Sequence, residues 1–234
     1  MLRKENPIIW CKGCGMYSAL AKTSEILKKL NLKNPVVVSG IGCAGRASGY
    51  FNLDSVNTLH GRAVPLAEGI KRANPKANVF IFSGDGDLLG IGLNHLIHCA
   101  RRNTNLTILC LNNNIYGMTG GQASPTTPKG QVTKTSPRGL EFEPINIQKI
   151  LMSNKKYFYA RTNAYNLNHL SECIEKAFKH EGFSFVDIYM ACTTNLKRTL
   201  KKTIPEIIKP YKEDYTIVKE NRELKDKEYG VNFK

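Results

Sequence analysis

The stretch FSGDGDLLGIGLNHLIHCARRNTNLTILCLNNNIYGMTGGQ, Phe82 to Gln122, sets two acidic residues in a glycine turn and three asparagines one helix and one strand later. The run ending at Gly84 and the run Leu106–Asn112 read as buried strands, because both are short, apolar and bounded by turn residues. Leu88–Arg102, between them, has helical periodicity. Asp85 and Asn113 therefore follow successive strands, 28 residues apart, which is one βα unit plus its next strand. Side chains so placed can converge on one ion from adjacent loops. Both offer hard oxygen ligands, of the kind Mg2+ takes in octahedral geometry completed by water and phosphates. Gly84 and Gly86 let backbone N–H groups approach an anion at a helix start, where the dipole adds attraction. A diphosphate held through Mg2+ is the expected ligand. The plainer reading, an asparagine turn and an aspartate N-cap, explains each residue singly but not their spacing.

Outward from this stretch the pattern repeats. Beside Val79–Gly84, the run already read as a strand, Val36–Gly40, Tyr157–Thr162 and Phe183–Ala191 read as further strands, and Tyr17–Leu30, Arg62–Ala73, Asn146–Ser153 and Leu167–His180 as helices. Strands separated by helices imply right-handed βαβ units, hence an α/β fold with a doubly wound, mostly parallel sheet. In such a sheet the glycine loop with Cys43, then Asp85, Asn113 and Cys192, each following a strand, share the carboxyl edge where these folds bind ligands. Gly117–Pro144 lacks periodicity and is rich in glycine and proline, so it reads as a long functional loop. The expected division is one α/β domain over 1–195 and a charged, partner-contacting tail over 196–234.

Composition narrows the class. At 234 residues the chain can bury a core without staples. The net charge of +15 is spread along the chain, with no basic helix and no nucleic-acid-binding signature, so nucleic acid is not an expected partner. A basic balance also suits anionic ligands or an acidic electron carrier. No apolar run is long enough to span a bilayer and the start has no signal-peptide pattern, which predicts a cytoplasmic protein without a membrane partner. Seven cysteines in that setting are core residues, reactive thiols or metal ligands rather than disulfides.

The GDG, gap and NN pattern resembles the thiamine diphosphate motif. Together with WCKGCG, GIGC, LHGRA, GDGD, NHLIHCARRN, NNIYGMTGGQ and TTPKG, over about residues 8 to 195, the chain resembles the β subunits of the 2-oxoacid:ferredoxin oxidoreductases, most of all those acting on 2-oxoglutarate. The resemblance implies that Cys11, Cys14, Cys43 and Cys192 ligate a [4Fe–4S] cluster. On spacing alone a CxxC pair plus two remote cysteines leaves a four-cysteine zinc site equally open. Cys99, Cys110 and Cys173 fall within periodic segments and are expected in the core. The family often places its last cysteine in a Ser-Pro-Cys context; here it is MACTTN, although the strand-end position fits.

The resemblance further implies that Asp85, Asn113 and the backbone carbonyl of Ile115 hold Mg2+. Gly84, Gly86, Asp87, Gly117 and Met118 would line the thiamine diphosphate, and Ile41, Gly42, Cys43 and Ala44 would form the loop between cofactor and cluster. For His60 two roles stay open, the border of that pocket and a structural one. Arg46 stands where the family places a basic residue suspected of contacting substrate, and a guanidinium can grip a distal carboxylate. The implied reaction converts a 2-oxoacid, CoA and oxidised ferredoxin to acyl-CoA, CO2 and reduced ferredoxin. One α/β unit suffices for the diphosphate half only, and the resemblance implies that the activating glutamate comes from an α subunit, with room for γ and δ subunits. The rival readings are a redox-neutral thiamine diphosphate decarboxylase subunit and a non-catalytic Fe–S electron-transfer module.

Overall fold

The continuous apolar runs form the middle of one sheet, as strands covered on both faces must. The computed structural model describes residues 1–234. Its strands are β1 (Pro35–Ser39), β2 (Asp54–Asn57), β3 (Asn78–Gly84), β4 (Leu106–Asn112), β5 (Ile115–Tyr116), β6 (Gln122–Ala123), β7 (Phe158–Asn163), β8 (Phe183–Tyr189), β9 (Thr216–Ile217) and β10 (Glu228–Phe233). Eight of them make one sheet in the order β2-β1-β3-β4-β8-β7-β10-β9, while β5 and β6 pair separately. From β2 to β7 in that order all neighbours are parallel; β10 runs antiparallel to β7. Every residue of β4, at the centre, is buried.

The helices are α1 (Met16–Lys29), α2 (Ala63–Ala73), α3 (Leu93–Arg101), α4 (Ile147–Met152), α5 (Leu167–Lys179), α6 (Thr193–Leu200) and α7 (Ile204–Glu213). Apolar residues of α1 and α5 fill one face of the sheet and those of α2, α3 and α4 the other. In α5, Leu170, Cys173, Ile174 and Ala177 recur at i, i+3, i+4 and i+7 and are fully buried. Its first turn is closed by Asn166, whose Oδ1 accepts the His169 N–H at 3.2 Å. Truncating Leu170 to alanine would cost about 2–5 kcal/mol through the cavity left behind. Cys99, Cys110 and Cys173 lie in these layers with no exposure. Burial pushes the Cys99 and Cys173 thiols up to about 12.

The chain leaves β1 toward β2 on one side, and leaves β3 toward β4 on the other. A crevice therefore opens beyond the carboxyl ends of β1 and β3, where the winding reverses.

The structure departs from expectation in three places. Leu88–Arg102 is not one helix: a wide turn over Gly86–Ile91 precedes α3, with Gly90 out of helical geometry at φ −88° and ψ −105°. A Cβ at Gly90 would meet the Tyr116 hydroxyl, so the kink is packed under a residue from a different loop. Secondly, β2 was not anticipated, since its four residues are all exposed and carry no apolar pattern. Thirdly, the charged segment 196–234 is built into the fold. It supplies α7, opened by a Thr203/Glu206 capping box, and β10, which adds to the sheet with Tyr229 and Asn232 buried.

Candidate active site

One cavity occupies the crevice. Its walls are Ile41, Gly42, Cys43 and Ala44 after β1, His60 after β2, Gly84 at the end of β3 with Asp85, Gly86 and Asp87 after it, and Asn113, Ile115, Gly117 and Met118 after β4. Every residue assigned from the sequence to the diphosphate cofactor or to Mg2+ is on that wall. Met16, Leu111, Tyr116 and Thr119 complete it. Of these, Tyr116 and Thr119 fall inside NNIYGMTGGQ, and the Tyr116 ring explains Gly86: a Cβ there would run into it.

Asp85 is 2% exposed. Its Oδ1 accepts the Asn113 N–H at 3.3 Å, and its Oδ2 accepts hydroxyl hydrogens from Ser124 at 2.6 Å and Thr126 at 2.7 Å. Burial pushes the carboxyl up, against these three donors. A carboxylate has about four lone-pair directions, so three donors leave one for a cation. Asn113 Oδ1 accepts the Ile115 N–H at 3.2 Å, which holds the turn that follows β4. Thr126 also reaches Asn112 Oδ1 at 3.0 Å, and the Asn112 amide donates to Asp187 Oδ1 at 3.0 Å. Burial raises the Asp187 carboxyl to about 6. Ser124, Thr126 and Asp187 escaped the sequence reading.

Asp87 has a different task. Its Oδ1 accepts the Gly61 N–H at 2.7 Å and the Ile41 N–H at 3.2 Å, and its Oδ2 accepts from Ser83 at 2.8 Å. His60 Nδ1 stands 2.6 Å from Oδ1, but off the line a hydrogen bond needs, and Nδ1 has no hydrogen-bond partner. Asp87 thus ties the loops after β1 and β2 to β3, and its carboxylate faces the fold.

A second cavity adjoins the first. Cys11, Cys14, Cys43 and Cys192 all stand on its wall, with Trp10, Arg46 and Met190, and it shares Met16, Cys43, Asn113 and Met118 with the first. The thiols come from three places in the chain: the turn before α1, the loop after β1, and the end of β8. All are free, and no three thiol, imidazole or carboxylate groups are drawn together closely enough to hold a metal as they stand. Burial pushes the Cys14 thiol up to about 11, reinforced by the other three thiols. Trp10 Nε1 donates to the Cys43 carbonyl at 2.8 Å and pins the two segments together. Arg46 lies on this wall, not on that of the first cavity.

Residues 40–188 match the thiamine pyrophosphate enzyme C-terminal TPP binding domain, the span that carries the first cavity's loops. The chain is 45% identical over 190 residues to the 2-oxoglutarate synthase subunit KorB of Archaeoglobus fulgidus, covering 81% of this chain and 71% of that protein. The chain belongs to the β subunits of the 2-oxoacid:ferredoxin oxidoreductases. This β subunit is also 40% identical over 225 residues to the 2-oxoacid:ferredoxin oxidoreductase subunit beta of Saccharolobus solfataricus, covering 93% of it and 74% of the relative. Its fold matches the 2-oxoglutarate:ferredoxin oxidoreductase of Magnetococcus marinus, solved with 2-oxoglutarate, coenzyme A and succinyl-CoA bound. The TM-score is 0.86 at 29% identity, over 99% of this chain and 82% of that one. Membership sets aside the redox-neutral decarboxylase and the non-catalytic electron-transfer module. No helix of the β subunit is long and apolar enough to cross a membrane.

Proposed function

We propose that this β subunit holds thiamine diphosphate through Mg2+ on Asp85, Asn113 and the Ile115 carbonyl, and carries a [4Fe–4S] cluster on Cys11, Cys14, Cys43 and Cys192. With an α subunit it performs the CoA-dependent oxidative decarboxylation of 2-oxoglutarate, delivering electrons to ferredoxin. The observation that carries the reading is the shared wall: Cys43 and Asn113 line both the cavity of the glycine motif and that of the four thiols.

The donor sets suit the two groups. A carboxylate, an amide and a carbonyl are hard oxygens, which Mg2+ prefers, whereas four sulfurs with no nitrogen or oxygen among them suit iron–sulfur chemistry. Thiamine diphosphate, when bound, supplies the electron sink for a 2-oxoacid losing CO2. Asp85 bridges cation and loop, Gly86 leaves room for Tyr116 in the floor, and Ile41–Ala44 separates cofactor from thiols. Neither carboxylate on the wall is free to act on an aminopyrimidine ring: Asp85 keeps one direction for the cation, and Asp87 is filled by three donors and His60. That carboxylate must come from the partner.

The substrate follows the relatives' names and Arg46, whose charge suits a second carboxylate. Free thiols fit a reducing compartment, hence the cytoplasm. We assign the outer surface of 196–234, with Leu200 and Ile217 exposed, to contact with a partner subunit.

The complex co-expressed with its companion subunits and purified without oxygen should reduce methyl viologen only when 2-oxoglutarate and CoA are both present. Absence of reduction with every 2-oxoacid tried overturns the proposal.

A further inference from the structure

The residues that follow Cys192, Thr193-Thr194-Asn195, form the first turn of α6; Thr193 lines the cysteine cavity, and Thr194 and Asn195 reach the sulfurs of two of its cysteines. Thr193 Oγ1 donates to the Lys12 carbonyl at 2.9 Å, fixing the turn between Cys11 and Cys14. Thr194 Oγ1 lies 2.9 Å from Cys11 Sγ as donor. Asn195, 8% exposed, donates through Nδ2 to Cys192 Sγ and to the Gly117 carbonyl, both at 3.1 Å. An amide nitrogen has two hydrogens, so both bonds can be made at once.

Residues in a helix's first turn ordinarily turn hydroxyl or amide groups to their own backbone. Here two of them reach sulfur instead, on two different cysteines, and Cys192 itself sits at the partly positive N-terminus of α6 with no side chain capping that end. Hydrogen bonds to sulfur favour the more negatively charged, reduced state of an iron–sulfur cluster and thereby raise its potential.

We propose that Thr194 and Asn195 are positioning residues that set the reduction potential of the cluster, holding it above the value the four cysteines alone would give. This rests on the iron–sulfur reading of the four thiols. The couple concerned is the addition of one electron to the oxidised cluster, supplied in the test by dithionite through mediators. Asn195 has a second role in the same geometry, because its bond to Gly117 joins the sulfur to the loop lining the other cavity.

The test uses the intact anaerobic complex as wild type, Thr194→Val, Thr194→Ser and Asn195→Ala. Iron and sulfide are assayed first, then the midpoint potential is found by mediated titration followed by electron paramagnetic resonance. Thr194→Val and Asn195→Ala should retain iron and sulfide and shift to a more negative midpoint, while Thr194→Ser, which keeps the hydroxyl, should stay at the wild-type value. Unchanged midpoints at full iron content overturn the proposal. Loss of the cluster from Thr194→Val, which preserves shape, would make the residue structural and overturn it too. Wild-type protein with zinc or no iron instead defeats the underlying reading, and is recognised at the metal assay before any potential is measured.

Discussion

The backbone N–H of Asn113 donates to Asp85 Oδ1 across 3.3 Å, locking the end of β4 to the end of β3 where both face the cavity. The other oxygen of Asp85 receives Ser124 and Thr126, so the same carboxylate also anchors the long loop after Gly117.

Replacing Asp85 with alanine removes both the proposed cation ligand and the loop's anchor. Thiamine diphosphate affinity in the assembled complex should fall by about 2–5 kcal/mol, the scale for truncating one member of a buried charge pair. Calorimetry with Mg2+ present checks this. Unchanged cofactor retention would refute the assignment.

Arg46 makes a sharper distinction than the sequence alone allows, because it stands on the cysteine cavity's wall. If its guanidinium reaches the substrate's distal carboxylate, Arg46→Ala should lower kcat/KM for 2-oxoglutarate by an equivalent of about 2–4 kcal/mol. Pyruvate, with no second acid group, should suffer much less. Equal losses on all 2-oxoacids would show that Arg46 serves the Cys43 loop instead.

Acid stability tests the region between α2 and α3. Glu68 accepts from Arg102 Nε at 2.6 Å, Thr104 at 2.9 Å and Arg72 at 3.1 Å. The Arg102 bonds above all hold its carboxyl down to about 2, from 4.5. A carboxyl depressed in the folded chain adds stability that is fully present above its unfolded value and is lost as pH falls through the folded one. The window is therefore from about pH 4.5 down to 2. Discounted for the partly exposed arginines, the contribution is about 1–2 kcal/mol. Urea unfolding at pH 7 and pH 3 should show roughly 60% of that loss in wild type, since pH 3 lies inside the window, and a smaller one in Glu68→Gln. Equal pH dependence in the two would contradict it.

The cavity is legible in the sequence because Asp85 and Asn113 each end an uninterrupted apolar strand, so one motif supplies both topology and chemistry. Ser124 and Thr126 are not, since they reach Asp85 from 39 and 41 residues away, in a loop with no period. The break at Gly90 hides inside a helical periodicity, and the side chain it packs against, Tyr116, lies outside that segment. β10 is hidden by charge: it lies in a segment dominated by lysine and glutamate and buries only part of its length. The four proposed ligand cysteines are partly legible. Their gathering round one cavity follows from strand ends on one edge, whereas the metal they suit depends on neighbours that spacing does not display.

The most direct test of the account is metal and sulfide analysis of the anaerobically purified complex, wild type beside Cys192→Ala and Cys173→Ala. Wild type should be brown, with about four iron and four sulfide per β subunit. Cys192→Ala should lose them, and Cys173→Ala, altered only in the apolar layer under α5, should keep them. Stoichiometric zinc without iron in the wild type, or a cluster retained in full by Cys192→Ala, would contradict the account.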